Sequence, residues 1–213
     1  MSAARLYVLA GVNGAGKSSI GGAALQAAGV PYFNPDIAAR NLRQADASLG
    51  LEAANAQAWQ LGLRGLQRAL AEGGTYAMET TLGGRTLPAL LLQGAQQGAE
   101  LHLWFAGLAT PELHLQRVRS RVAAGGHDIP EARIRERFDS SRANLVKLLP
   151  QLASLRLYDN SAEGDPHQGR RPAPVLLLHL QRGRIVQQAP LPQVGEWAKP
   201  LLAAAWALPG ALG

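Results

Sequence analysis

Leu6-Tyr7-Val8-Leu9-Ala10-Gly11-Val12-Asn13-Gly14-Ala15-Gly16-Lys17-Ser18-Ser19 is the stretch that decides the fold. Residues 6–10 are an uninterrupted apolar run, as expected of a strand buried on both faces. Residues 11–18 then match G-x-x-x-x-G-K-[ST] at every fixed position. The glycines let the backbone wrap closely around an anion. Successive N–H groups of Gly11, Asn13, Gly14, Ala15 and Gly16 point inward, at the positive end of the helix that follows. Lys17 is expected to reach the β- and γ-phosphates of a nucleotide, and the Ser18 hydroxyl to hold Mg²⁺. Ser19 is the expected α-phosphate contact. ATP and Mg²⁺ are therefore the expected ligands. The loop identifies nucleotide use and not the reaction, because kinases, ATPases and GTPases share it. The chain has no guanine-reading N-K-x-D.

Working outward, apolar runs alternate with amphipathic stretches, which is the α/β pattern. Strands are expected at 6–10, 31–34, 76–79, 101–108 and 155–158. Helices are expected at 16–28, 53–71, 88–97, 110–124 and 130–149, with a short one over 37–42. Thr110 followed by Pro111 marks one helix start, and Gly125-Gly126 its stop. The expected fold is α/β: a doubly wound parallel five-stranded sheet of the P-loop kinase kind. Residues 1–163 form that domain, including an arginine-rich lid at about 117–142. In residues 164–213, a loop, a hairpin turning at Arg182-Gly183 and a helix over 197–208 are expected to pack on it as an appendage.

Composition narrows the function classes. The 213 residues carry a formal charge of +6, no cysteine and 5% aromatic residues. No disulfide framework or thiolate metal site is possible. No apolar run reaches the roughly 20 residues of a membrane span. Residues 6–10 are too short for a signal-peptide core and lead into the phosphate loop, so a cytoplasmic protein is expected. Aromatic residues do not alternate with the arginines as a base-stacking platform requires, so nucleic acid is not the expected partner.

Acceptor chemistry is expected where the strands end, since ligands of doubly wound sheets sit at strand C-termini. Asp36, after the second strand, is either a general base beside the γ-phosphate or the N-cap of the next helix. Glu79, Thr80 and Thr81 end the third strand, and Arg85 follows. Acid, hydroxyls and a cation together suit a polyhydroxylated, anionic small molecule; alternatively Thr81 or Thr86 caps the next helix. In the lid, Arg121 lies nearest the glycine hinge and is the expected phosphate-closing arginine. Glu131 with Arg135, and Arg133 with Glu136, read as local helix pairs. Asn160, after the fifth strand, either contacts adenine or sits in a simple Asx turn.

These motifs together resemble the zeta-toxin family of P-loop kinases, and more narrowly its short stand-alone bacterial members. The resemblance rests on residues 11–18, Asn34-Pro35-Asp36, Glu79-Thr80-Thr81 with Gly84-Arg85-Thr86, residues 121–130, Asn144-Leu145 and Tyr158-Asp159-Asn160-Ser161. It implies a fold like that of small nucleotide and metabolite kinases. Toxin members phosphorylate the sugar of UDP-N-acetylglucosamine and so starve wall synthesis, which makes a UDP-sugar the candidate acceptor and an antitoxin a candidate partner. Carried over residue by residue, Lys17 is the phosphate lysine and Asp36 the base. Glu79, Thr81 and Arg85 fall on the substrate motif, and Arg121 on the first lid arginine. Toxin members carry a second lid arginine about where this chain has Gly126-His127; Arg135, Arg137 or His127 is left to replace it. Two extra residues also separate Thr81 from Gly84-Arg85. Competing readings are an ATP-dependent regulatory module with slow hydrolysis and a nucleic-acid-end kinase.

Overall fold

A computed structural model describes residues 3–22, 25, 30, 32–162 and 173–211, without the Ser19 side chain. The strands are β1 (Arg5–Ala10), β2 (Tyr32–Phe33), β3 (Thr75–Thr80), β4 (Glu100–Gly107), β5 (Ser154–Asp159), β6 (Val175–Gln181) and β7 (Arg184–Gln188). The helices are α1 (Pro35–Ala45), α2 (Leu51–Glu72), α3 (Thr86–Gln96), α4 (Pro111–Ala123), α5 (Glu131–Leu148) and α6 (Lys199–Trp206). Of the helix expected over 16–28, Ser18–Gly22 forms a π-helical turn. Most of its remainder, and most of the 164–174 loop, lies outside the described residues.

All seven strands join one sheet in the order β2-β3-β1-β4-β5-β6-β7. The first five are parallel, as the alternation of apolar and amphipathic segments requires. The hairpin is more than an appendage: β6 pairs antiparallel with β5 and extends the same sheet. Its turn residues Arg182 and Gly183 both have positive φ, 47° and 77°. That geometry matches the right-handed strand twist and closes a two-residue loop.

The main core lies on one sheet face. Leu6, Val8, Leu103, Phe105, Leu155 and Leu157 pack there with Leu178 and Leu180 of β6, Leu145 and Leu148 of α5, and Leu201 and Leu202 of α6. Each such side chain contributes about 1.5–3 kcal/mol when fully buried. The C-terminal segment also holds the site-bearing edge. Trp197 stacks near Phe105, with ring centroids 6.5 Å apart, and its indole N–H donates to Asp159 Oδ2 at 3.0 Å. Arg142 donates to the Trp197 carbonyl at 3.2 Å.

Among the described residues, no helix is long and apolar enough to cross a membrane.

Candidate active site

The phosphate loop joins β1 to the Ser18–Gly22 turn and needs glycine at its two ends. Gly11 has φ +140°, and a Cβ there would stand 2.2 Å from the Ala106 carbonyl oxygen. Gly16 has φ +80°, and its Cβ would stand 2.4 Å from Asn160 Nδ2. Asn160 is thus packed under the loop and donates to the Ala15 carbonyl at 2.9 Å. The Asx turn foreseen at Asn160 belongs instead to Asp159, whose Oδ1 accepts from Ser161 N–H at 2.7 Å.

Buried His114 of α4 supports the loop from the other side. Its Nδ1 lies 2.8 Å from the Asn13 carbonyl oxygen, an acceptor only, so Nδ1 carries the proton. Burial, followed by the positive charge of Lys17 and Arg117, pushes the His114 pKa down to about 4; the Asn13 bond works against that shift. A depressed histidine favours proton uptake in the unfolded chain, so this contribution to stability is present above about pH 6.5 and is lost as pH falls toward 4. His102 and His179 are also lowered, chiefly by burial, and act in the same direction. We expect the melting temperature to fall between pH 7 and pH 5, and His114→Gln to flatten that slope. Thermal melts across the range check both.

Glu79 is the meeting point of the site. Its Oε2 accepts from Ser18 Oγ at 2.9 Å, the Tyr32 hydroxyl at 2.5 Å and Asn34 Nδ2 at 3.0 Å. Its Oε1 lies 3.4 Å from Lys17 Nζ. Burial, then the Glu79 carboxylate, holds the Tyr32 phenol protonated far above its usual range. Sequence reasoning missed both Tyr32 and Asn34.

Asn34 also takes the capping position that was one of the two readings of Asp36. The N-cap of α1 is Asn34, whose Oδ1 accepts from the N–H groups of Asp36 at 2.9 Å and Ile37 at 3.2 Å. Asp36 therefore sits inside the first turn with its carboxylate free of capping. It faces His127 Nε2 at 3.9 Å.

A cleft of about 400 Å³ brings Asn13, Lys17, Asp36, Glu79, Thr81 and Arg137 onto one lining. Thr80 lines it as well, but its hydroxyl accepts from Leu82 N–H at 3.0 Å and shapes the turn. The Thr81 hydroxyl accepts from Gly83 N–H at 3.5 Å. Leu82 is buried at φ +57°, and Asn144 pins this turn by donating to the Leu82 and Gly84 carbonyls at 2.8 and 2.9 Å. Arg85 occupies the cap position of α3 and is not among the residues lining the cleft. Neither Thr81 nor Thr86 caps that helix, since Thr86 is its first residue and no side-chain cap bond is made.

The arginines of α4 and α5 sort by their partners. Arg135 is committed to Glu112 and Glu131, each at 2.7 Å, and is exposed. Arg133 stands 4.0 Å from Glu136, and Arg119 is 3.8 Å from Glu131. Arg137 instead donates to Asn13 Oδ1 of the phosphate loop at 2.9 Å. Burial, then Arg133, lowers its pKa, yet a guanidinium remains a cation at any ordinary pH. Arg121 lines an adjoining chamber instead, with Nη2 donating to the His127 carbonyl at 3.2 Å. Its buried Nε has no hydrogen-bond partner among the described residues.

The solved structure of AvrRxo1-ORF1:AvrRxo1-ORF2 with sulphate ions matches at TM-score 0.65 and 18% identity, over 95% of this chain and 64% of the other. The AvrRxo1-ORF1:-ORF2 structure with ATP matches equally well, at TM-score 0.65 and 18% identity, over 96% and 64%. A chain of the PezAT chromosomal toxin-antitoxin system of Streptococcus pneumoniae matches at TM-score 0.51 and 17% identity, over 74% and 68%.

The chain shares the α/β fold of these structures.

It spans just under two thirds of the chains it matches in the two AvrRxo1 structures. An uncharacterized protein of Haemophilus influenzae is 29% identical over 132 residues, which is 60% of this chain and 88% of that protein. No protein-family model matches the chain.

The donor set suits ATP with magnesium. The loop offers backbone N–H groups and Lys17 to phosphates. Ser18 Oγ beside the Glu79 carboxylate offers hard oxygen atoms, and Mg²⁺ takes few protein ligands together with substrate phosphates.

Proposed function

We propose that this protein is an ATP- and Mg²⁺-dependent kinase that phosphorylates a hydroxyl group of a small molecule. One observation carries the reading: Lys17 of the phosphate loop, its neighbour Glu79 and the carboxylate of Asp36, which does not cap α1, line the same cleft. A carboxylate there can take the proton of an acceptor hydroxyl; a hydrolase would use it on water, and the labelling experiment below separates the two.

The residues divide the work as follows. Backbone N–H groups of residues 11–16 and the Lys17 ammonium hold the phosphates. Ser18 and Glu79 hold magnesium, which when bound neutralises charge on the phosphate oxygens. Tyr32 and Asn34 keep the Glu79 carboxylate turned toward Ser18. Asp36 takes the proton of the acceptor hydroxyl as its oxygen attacks the γ-phosphorus and the bond to the β–γ bridging oxygen breaks. Thr81 contacts the acceptor. Ser19 keeps its expected α-phosphate contact, Asn160 braces the phosphate loop, and Arg85 keeps its expected contact to the substrate. The zeta-toxin resemblance makes UDP-N-acetylglucosamine the first acceptor to test and an antitoxin protein the first partner.

Arg137 and Arg121, neither of them ion-paired to a carboxylate, are the arginines put forward to meet the transferring phosphoryl group; Arg133 also lines the cleft but stands 4.0 Å from Glu136. Arg137 already touches the phosphate loop, whereas Arg121 faces the neighbouring chamber. Arg137→Ala is therefore expected to lower kcat more than Arg121→Ala, by about 10³-fold or more if it acts on the transition state. Steady-state kinetics of the two variants decide the order. Equal or reversed losses return the role to Arg121.

The function itself is tested by offering labelled ATP with a panel of hydroxylated metabolites that includes UDP-N-acetylglucosamine. Label on that sugar supports the finer reading. Label on other panel members alone overturns the UDP-sugar assignment and leaves the kinase.

A further inference from the structure

His127 reaches the cleft from a turn that holds its backbone in place. Gly125, just past α4, has φ +88°. The Gly126 N–H donates to the Arg121 carbonyl at 2.9 Å, and a Cβ on Gly126 would stand 2.9 Å from the same oxygen. Only glycine lets the chain pass that close to the end of α4. One residue on, the His127 carbonyl accepts from Arg121 Nη2 at 3.2 Å. Asp36 is anchored independently, its N–H donating to the cap residue Asn34 at 2.9 Å.

The two side chains meet from these separate anchors. His127 Nε2 stands 3.9 Å from Asp36 Oδ1, and both residues line the cleft that also holds Lys17. That gap is too long for a direct hydrogen bond. It fits one oxygen atom: at about 2.8 Å from each, an oxygen sees the pair at an angle of about 90°. A hydroxyl oxygen has one proton to give and two lone pairs to offer. With its proton turned to Asp36 and one lone pair on the His127 N–H, the other lone pair is free and its direction is set.

We infer that His127 is a second residue touching the acceptor: its Nε2–H donates to the hydroxyl oxygen whose proton Asp36 takes. This rests on Asp36 being the base. In the transfer the proton passes to Asp36, the free lone pair bonds to the γ-phosphorus, and ADP leaves with the electron pair of the broken bond to its β–γ bridging oxygen. His127 keeps its proton throughout, and its work is to aim the nucleophile. An amine, with one lone pair, cannot both accept from His127 and attack, so the pair selects oxygen nucleophiles. Water offers the same lone pairs and is held the same way, so basal hydrolysis reports on His127 without an identified acceptor.

The test measures single-turnover loss of γ-label from ATP with magnesium, first to water and then to the panel members that the wild type labels. His127→Ala is expected to slow both about tenfold or more, since a misplaced reactant can lose about 10²-fold. The melting temperature and the affinity for a non-hydrolysable ATP analogue should not change. His127→Gln should recover to within about threefold of wild type, because the glutamine amide nitrogen reaches the place of Nε2. Asp36→Asn/His127→Ala should be no slower than Asp36→Asn alone, as expected of two residues acting on one atom. A smaller loss in His127→Ala, a glutamine variant no faster than the alanine variant, or losses that multiply in the double variant overturn the inference. Multiplied losses would place His127 on the transferring phosphoryl group instead. Failure of the kinase reading shows separately, as wild-type label that reaches water and no panel member, while the His127 variants still read out on water.

Discussion

Lys17→Ala is expected to lower phosphoryl transfer at least 10²- to 10³-fold, the usual loss when one fixed electrostatic partner of the transition state is removed. The ammonium is nearly buried, with its side chain 9% exposed, so water does not replace it well. ATP affinity should fall too, because Lys17 meets the phosphates in the ground state. The fold should survive, since Glu79 keeps the donors Ser18, Tyr32 and Asn34 after the lysine is gone. A variant that melts normally and turns over within a few-fold of wild type would remove the phosphate-loop assignment.

Asp36→Asn is the second large effect. The amide keeps the size of the side chain but cannot take a proton. Loss of a general base costs about 10²–10⁴-fold in rate. Because Asn34 caps α1, the change leaves the cap intact. It removes only a first-turn carboxylate, worth about 0.3–1 kcal/mol to the helix dipole. Stability and ATP affinity should therefore stay close to wild type while single-turnover transfer collapses. Transfer within tenfold of wild type would take the base role from Asp36.

The parts of this site that lie within one loop were legible in the sequence. Residues 6–18 specify a buried strand, a tight anion-wrapping turn and a helix start, and every step of that reading is local. The parallel sheet followed from apolar strands alternating with helical stretches. The hairpin turn at Arg182-Gly183 was equally local, but its pairing onto β5 was not, because no short-range signal says which edge a hairpin will extend. Asn34 could have been found: asparagine followed by proline at the first helical position is a helix start. Tyr32 could not, since an aromatic residue in an apolar strand reads as core until its hydroxyl meets Glu79 across the sheet. Arg137 was one of seven arginines on two helices, and only packing separates it from Arg135, which two glutamates hold away from the loop. Arg85 shows the reverse. It is close in sequence to Thr81, and Gly83, Gly84, Leu87 and Pro88 on either side of it line the cleft, but Arg85 itself does not.

Single-turnover transfer from γ-labelled ATP, in magnesium and an unfractionated extract of low-molecular-weight metabolites, tests the central claim most directly. The account predicts that label moves onto an organic acceptor, that the product is stable to mild acid as a phosphate ester, and that both Lys17→Ala and Asp36→Asn abolish it. Label recovered solely as inorganic phosphate, at a rate the Asp36→Asn variant retains, would contradict it.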